Sequence, residues 1–361
     1  MAMLGHRDPR MAVRYQYLAA GPWRRGVRYR PMNAAGCARR RLVLGALTAL
    51  LAAARVDAQP PRRARVGVLA SSTESNFGPS VKVFVAGLAA AGWVEGRNLT
   101  LDVRYPGDEY TRLSALAAEL VKLKVDVIAA MGTPATEAAK QATKTIPIVM
   151  ESLSDVVASG LVSNLARPDG NITGVSGFSP ELSGKRLELL REIIPRVERI
   201  GVLLNRANAA TVPVLRATEA AAQQMRMRLY VVEVRQPAAI PGAFEALVKA
   251  RSEALVLVAD PLLFSELPRI VELAARHRLP AVYETARFAE RGGLVSYGPL
   301  TQERFRQMAA YVDRILRGSQ PGDLPFERPR TFELVLNLQA ARGLGLEISP
   351  ALRLRADHVI E

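Results

Sequence analysis

Polar residues gather where apolar runs end. Ser71 and Ser72 follow VGVLA, and Thr133 and Thr136 lie in GTPAT behind VDVIAAM. Ser152 and Asp155 follow IPIVM, Asn205 and Asn208 follow IGVLL, Asp260 closes EALVLVAD, and Tyr283 and Glu284 close PAVYE. Hydroxyls beside a threonine-capped helix start can hold an anion, because the first N–H groups of a helix lack intrahelical acceptors. Ser72, Thr133 and Thr136, with Ser71 beside them, are therefore candidates for a carboxylate. Asp155, Asp260 and Glu284 are candidates for an ammonium, with the amides near them, and Tyr283 with Phe264 could supply a flat apolar wall. A solute with one carboxylate and one ammonium, such as an α-amino acid, would satisfy both sets. Each position also has an ordinary structural use, as a helix cap, a turn before proline or a core aromatic.

Catalytic constellations are missing. The residues after Leu69 are ASSTES, with no G-x-G-x-x-G, and neither G-x-x-x-x-G-K-[ST] nor G-x-S-x-G occurs. Beyond residue 58 the histidines are His277, between two arginines, and His358, near the end. A Ser-His-Asp triad or a histidine-based metal site has almost no material. The expectation is a binder, not an enzyme, with no cofactor and no metal.

The elements that must carry these loops alternate. Short runs rich in Val and Ile, apolar on both parities, read as strands of parallel sheets covered on both faces. NLTLDVRY (98–105) alternates more and reads as nearer an edge. Between the runs, Leu113, Leu116, Leu120 and Leu123 fall on one helical face, as do Leu187, Leu190, Ile193 and Ile194. This is a doubly wound α/β pattern, in which ligands bind at the carboxyl ends of the strands. It occurs twice. VGVL (66–69) matches IGVL (200–203), VDVIAAMGTP matches EALVLVADP, and TIPIVME (145–151) matches RLPAVYE (278–284). Two lobes are expected, lobe 1 from 59–177 plus 285–325 and lobe 2 from 178–284 plus 326–361. The crossings are placed near GVSGFSP (174–180), after Tyr283, and near 321–331.

Length and charge fit this plan. The 361 residues suit two domains, and the formal charge of +15 invites a polyanion partner. Residues 1–58, however, hold eleven Arg against two Asp, so +9 of that charge lies there and +6 in the remainder. Arg39–Arg41 precede the 13-residue apolar run Leu42–Ala54, then Val56-Asp57-Ala58 offers small residues at the −3 and −1 positions. That is a secretory signal layout, with translation expected from Met32 and cleavage after Ala58. Thirteen residues are too short a helix to span a bilayer. The lone Cys37 precedes the apolar run and would leave with it. The exported chain is expected to be a cysteine-free monomer that binds no nucleic acid.

The stretches AAGWVEGRNLTLDVRY (90–105), MGTPATEAAKQATKTIPIV (131–149), LVSNLARPDGNITGVSGFSPELSGKRLELLREIIP (161–195), ADPLLF (259–264), RHRLPAVYETARFAERGGLVSYGP (276–299) and LPFERPRTFELVLNLQAARGLGL (324–346) resemble the ABC transporter substrate-binding proteins that include tryptophan and aromatic amino-acid binders. Val156 stands where that family often has proline after Ser154-Asp155. The resemblance implies a type I periplasmic binding protein fold, with two Rossmann-like lobes, a three-crossing hinge and a small-molecule ligand in the cleft. It also implies a periplasmic protein that delivers its solute to an inner-membrane ABC permease. A sensor that signals through the same lobes, or a Rossmann-type enzyme, are the alternative classes.

Overall fold

A computed structural model describes residues 63–361 except 108, 154, 169, 178 and 179. The signal segment, the Met32 start and the cleavage point lie outside the described residues.

The first lobe runs β1 (Ala64–Ala70), α1 (Glu74–Ala90), β2 (Leu99–Arg104), α2 (Leu113–Lys122), β3 (Val127–Met131), α3 (Thr133–Ala142), β4 (Ile148–Ser152) and β5 (Ile172–Ser176). Next come α4 (Pro180–Ile193), β6 (Arg199–Leu204), α5 (Thr211–Gln224), β7 (Arg228–Glu233), α6 (Ile240–Lys249) and β8 (Ala254–Leu257). They are followed by α7 (Pro261–Ser265), α8 (Leu267–Arg276), β9 (Ala281–Tyr283), α9 (Ala286–Glu290) and β10 (Val295–Pro299). The chain ends with α10 (Thr301–Leu316), β11 (Phe332–Asn337), α11 (Leu338–Leu344), α12 (Pro350–Arg355) and β12 (His358–Ile360).

Two sheets result, as the twofold alternation predicts. The five-stranded one has the order β2-β1-β3-β4-β5 and is parallel throughout. The seven-stranded one has the order β12-β11-β10-β9-β8-β6-β7, with β10 and β11 antiparallel and the other pairs parallel. Apolar residues on both parities of the central strands fill both faces. In β3, Val127, Ala129 and Met131 join a core with α1 and α10, while Ile128 and Ala130 join one with α2 and α3. β2 has one buried residue and lies at the edge of its sheet.

One boundary departs from the sequence reading. The chain does not leave the second lobe after Tyr283: β10 pairs with β9, Val295 opposite Val282, so residues 285–299 belong to the second sheet. Only at Thr301 does α10 move onto α1, β3, β4 and β5. The physical reason lies in the duplication. β2-β1-β3-β4-β5 and β7-β6-β8-β9-β10 are wound in the same order. Each half therefore completes a fifth strand before its next helix changes lobe. α4 correspondingly packs on α5, β9 and β10 of the second lobe. The chain then returns past β5, where Glu327 N–H donates to Gly174 O and Ser176 N–H donates to Glu327 O, before entering β11.

Within β5, Gly174 has φ +148°, and a Cβ there would run into the Met150 carbonyl of β4. Gly174→Ala is expected to cost about 2 kcal/mol or more, from backbone strain added to a broken strand pairing. A fall of several degrees in the circular-dichroism melting temperature checks this, and an unchanged melt would contradict it.

Candidate functional site

The carboxyl ends of both sheets open on one cleft of roughly 870 Å³, counted with its open mouth. Its apolar wall holds four phenyl rings: Phe77 from α1, Phe264 from α7, Phe288 from α9 and Phe305 from α10. Phe264 and Phe288 meet edge to face with centroids 6.0 Å apart, and the Arg287 guanidinium lies 4.5 Å over the Phe264 ring. The polar wall holds Thr133, Ser152, Glu151 and Arg304 on the first-lobe side, and Asn208, Asp260, Glu284 and Arg287 on the second.

Asp260 is the N-cap of α7 and is almost fully buried. Its Oδ1 accepts from Asn205 Nδ2 at 3.1 Å and Leu262 N–H at 2.9 Å, and its Oδ2 accepts from Asn208 Nδ2 at 2.8 Å. Burial raises its carboxyl above the usual aspartate range, and the Asn208, Asn205 and backbone donors oppose that shift. All of these donors are neutral, so no cation of the protein offsets the charge in this set. The asparagines are themselves fixed: Asn205 Oδ1 accepts from Ala207 N–H and Asn208 Oδ1 from Ala210 N–H, so both NH2 groups must face Asp260.

The two glutamates are paired. Glu284, at the end of β9, meets Arg186 of α4 at 3.2 Å, and Arg186 Nε also donates to Tyr297 O at 2.9 Å. Glu151, in β4, meets Arg304 of α10. All four side chains are at most 5% exposed. Burial pulls the Arg304 guanidinium down to about 10 and lowers Arg186 as well. The pairs occupy equivalent places in the two lobes, each a strand-end glutamate met by the helix that has just crossed over.

Six of the sequence candidates line the cleft: Thr133, Ser152, Asn208, Asp260, Phe264 and Glu284. Thr133 Oγ1 and Ser152 Oγ are 2.8 Å apart. The other six do not line it. Ser71 Oγ donates to Met131 O and accepts from Ala135 N–H, and Ser72 Oγ accepts from Asn76 Nδ2 behind the wall. Thr136 Oγ1 donates to Gly132 O. The anion site expected at the start of α3 is therefore mostly occupied. Pro134 has no N–H, that of Ala135 goes to Ser71 and that of Thr136 to Gly132 O. Asp155 caps a turn by accepting from Val157 and Ala158 N–H, away from the cleft. Asn205 donates to Asp260 and does not itself reach the cleft. Tyr283 is fully buried and stacks beneath Phe288 at 4.5 Å, supporting the aromatic wall from behind. Glu284, a sequence candidate for an ammonium, carries its own arginine, Arg186.

Sequence reasoning missed Glu151, Arg304, Arg287 and the phenylalanines 77, 288 and 305. The match of TIPIVME to RLPAVYE already sets Glu151 opposite Glu284. Nothing in the strands names the arginines: Arg304 comes from a helix far along the chain from Glu151, and Arg287 from α9, just beyond Glu284.

The profile of a family described as ABC transporter substrate binding protein matches residues 63–360. A tyrosine-binding protein of Clostridioides difficile (strain R20291) is 24% identical over 299 residues, 82% of this chain and 84% of its own. A conserved domain protein from Vibrio cholerae O1 biovar El Tor has a solved structure with TM-score 0.79 and 29% identity, covering 82% of this chain and 100% of that one. A domain from Streptococcus pneumonia solved in complex with L-Trp has TM-score 0.78 and 23% identity, again covering 82% and 100%. No helix among the described residues is long and apolar enough to cross a membrane.

Proposed function

We propose, from the premise that this chain belongs to the ABC transporter substrate-binding protein family, that it captures an aromatic amino acid between its lobes and delivers it to an inner-membrane permease. The observation that carries the reading is the pairing of a four-phenyl wall with one buried carboxylate, Asp260, held only by neutral donors. An aromatic side chain would bury its ring against Phe77, Phe264, Phe288 and Phe305, where ring contacts add about 0.5–1.5 kcal/mol each beyond area burial. Its ammonium would meet Asp260 and offset the cost of burying that charge. Its carboxylate would take Arg287 and the Thr133–Ser152 hydroxyls. The names of the C. difficile relative and the L-Trp complex support the same solute class. The arginine-rich leader followed by an apolar run supports export to the periplasm, where the solute would be collected.

Thermal shift with L-tryptophan, L-tyrosine and L-phenylalanine tests this, set beside tryptamine and indole-3-propionate. A true ligand at 100 times its Kd stabilises the fold by about 2.7 kcal/mol. At least one aromatic amino acid is expected to raise the melting temperature, and the analogues lacking either charged group are expected to lose most of that rise. No response to any aromatic amino acid would overturn the solute assignment.

A further inference from the structure

We infer that Tyr110 is a latch between the lobes, a positioning residue that sets how long the solute stays bound without touching it. This rests on the proposed reading only in taking the cleft as the place where a solute is held. Tyr110 opens the 3-10 turn Tyr110–Arg112 that leads into α2 of the first lobe. Its hydroxyl reaches the start of α7 in the second lobe, accepting from Leu262 N–H at 2.7 Å and donating to Asp260 Oδ1 at 3.3 Å. The ring is shared too: it packs against the second-lobe core that includes Leu262 and Leu263, and against the first-lobe core that includes Leu113 and Leu116. Tyr110 is not among the cleft-lining residues, whereas Asp260 is. Burial holds the phenol well above its ordinary range, so it remains a neutral donor beside the carboxylate.

A second cross-lobe bond accompanies it. Arg287 Nη1 of α9 donates to Asn76 O of α1 at 2.7 Å. Protein groups alone thus bridge the two lobes at Tyr110 and at Arg287. Bonds that exist only when the lobes are together favour that form whatever the solute is, and so lengthen its stay. Tyr110 also donates to the carboxylate proposed to hold the ammonium, so opening the lobes removes a donor from Asp260 at the moment the solute is to leave.

Tyr110→Phe removes the hydroxyl and keeps the ring. Asp260 Oδ1 and Leu262 N–H still meet each other at 2.9 Å, so no polar group is orphaned. Stopped-flow release of L-tryptophan from the purified variant is expected to be about 3- to 10-fold faster than wild type, the equivalent of one or two hydrogen bonds, with the association rate unchanged. Without solute, amide exchange at Leu262 is expected to speed up, and small-angle scattering to show a larger radius of gyration. Unchanged amide exchange and scattering would overturn the latch, as would a lower melting temperature with an unchanged release rate, which would make Tyr110 a packing residue only. Failure of wild type to bind L-tryptophan, tyrosine or phenylalanine would remove the solute assignment instead, and the solute-free exchange and scattering would then decide the latch alone.

Discussion

Asp260→Asn is expected to weaken binding of the aromatic amino acid by roughly 30- to 1,000-fold, about 2–4 kcal/mol, the cost of removing one partner from a buried charge pair. The substitution keeps size and shape, so the effect reads charge and hydrogen-bond polarity. In the protein both asparagine NH2 groups point at the carboxylate because their own oxygens are committed to Ala207 and Ala210 N–H. An amide at 260 must turn its NH2 toward Asn208 or toward Asn205 and Leu262, which sets donor against donor. An amide there puts a donor where the carboxylate offers only acceptors. Isothermal titration measures the loss. Asp155→Asn is the control: its carboxylate caps a turn outside the cleft, so affinity there is expected to hold. Wild-type affinity in Asp260→Asn would remove Asp260 from the site.

The same carboxylate makes affinity and stability respond to acid in opposite directions. Burial raises the Asp260 carboxyl above its unfolded value. Its contribution to the stability of the solute-free protein is therefore fully present below the unfolded value and is lost as pH rises through the raised folded one. Pairing with an ammonium needs the ionised form. Lowering the pH through the raised value should therefore weaken binding while Asp260 itself ceases to oppose folding. A binding profile that stays flat until the ordinary aspartate range would argue that the ammonium is held elsewhere.

Strand–helix alternation, and the match of PIVME to PAVYE, were readable because parallel strands covered on both faces must be apolar on both parities. The place of Asp260 on the cleft was readable because an aspartate before proline, just past a strand, falls where doubly wound sheets bind ligands. The fate of 285–299 was not. LVSYG has the composition of either sheet, and only the pairing of Val295 with Val282 assigns it. Ser71 and Thr136 misled for a related reason. Hydroxyls near a helix start serve the backbone or a ligand equally well on composition, and here Met131 O, Ala135 N–H and Gly132 O take them. Arg186, Arg304 and Tyr110 were invisible because each acts on a group about 100 or more residues away, across a crossing or between the lobes.

Arg304→Leu is expected to destabilise the protein by about 3–5 kcal/mol, because it leaves Glu151 buried with its countercharge gone. For a chain of this size that corresponds to a fall on the order of 10 °C in melting temperature. Arg304 and Glu151 are both at most 5% exposed, so water cannot take over the guanidinium's part. The exposed pair Arg276–Glu272, at 2.7 Å on α8, is the contrast: both side chains are about two-thirds exposed, and Arg276→Ala should cost well under 1 kcal/mol. Removing both buried partners separates the cost of a broken pair from the worth of the intact one. Arg304→Leu with Glu151→Leu should recover much of the stability lost by Arg304→Leu alone, since an apolar pair of similar volume is often as stable as a buried ion pair. A single variant that melts with the wild type, or a double variant no better than the single, would mean that the Arg304 guanidinium compensates no buried charge. The matching of Arg304 to Glu151 and of Arg186 to Glu284 would then be a by-product of the duplicated lobes and would not hold each crossing helix to its strand.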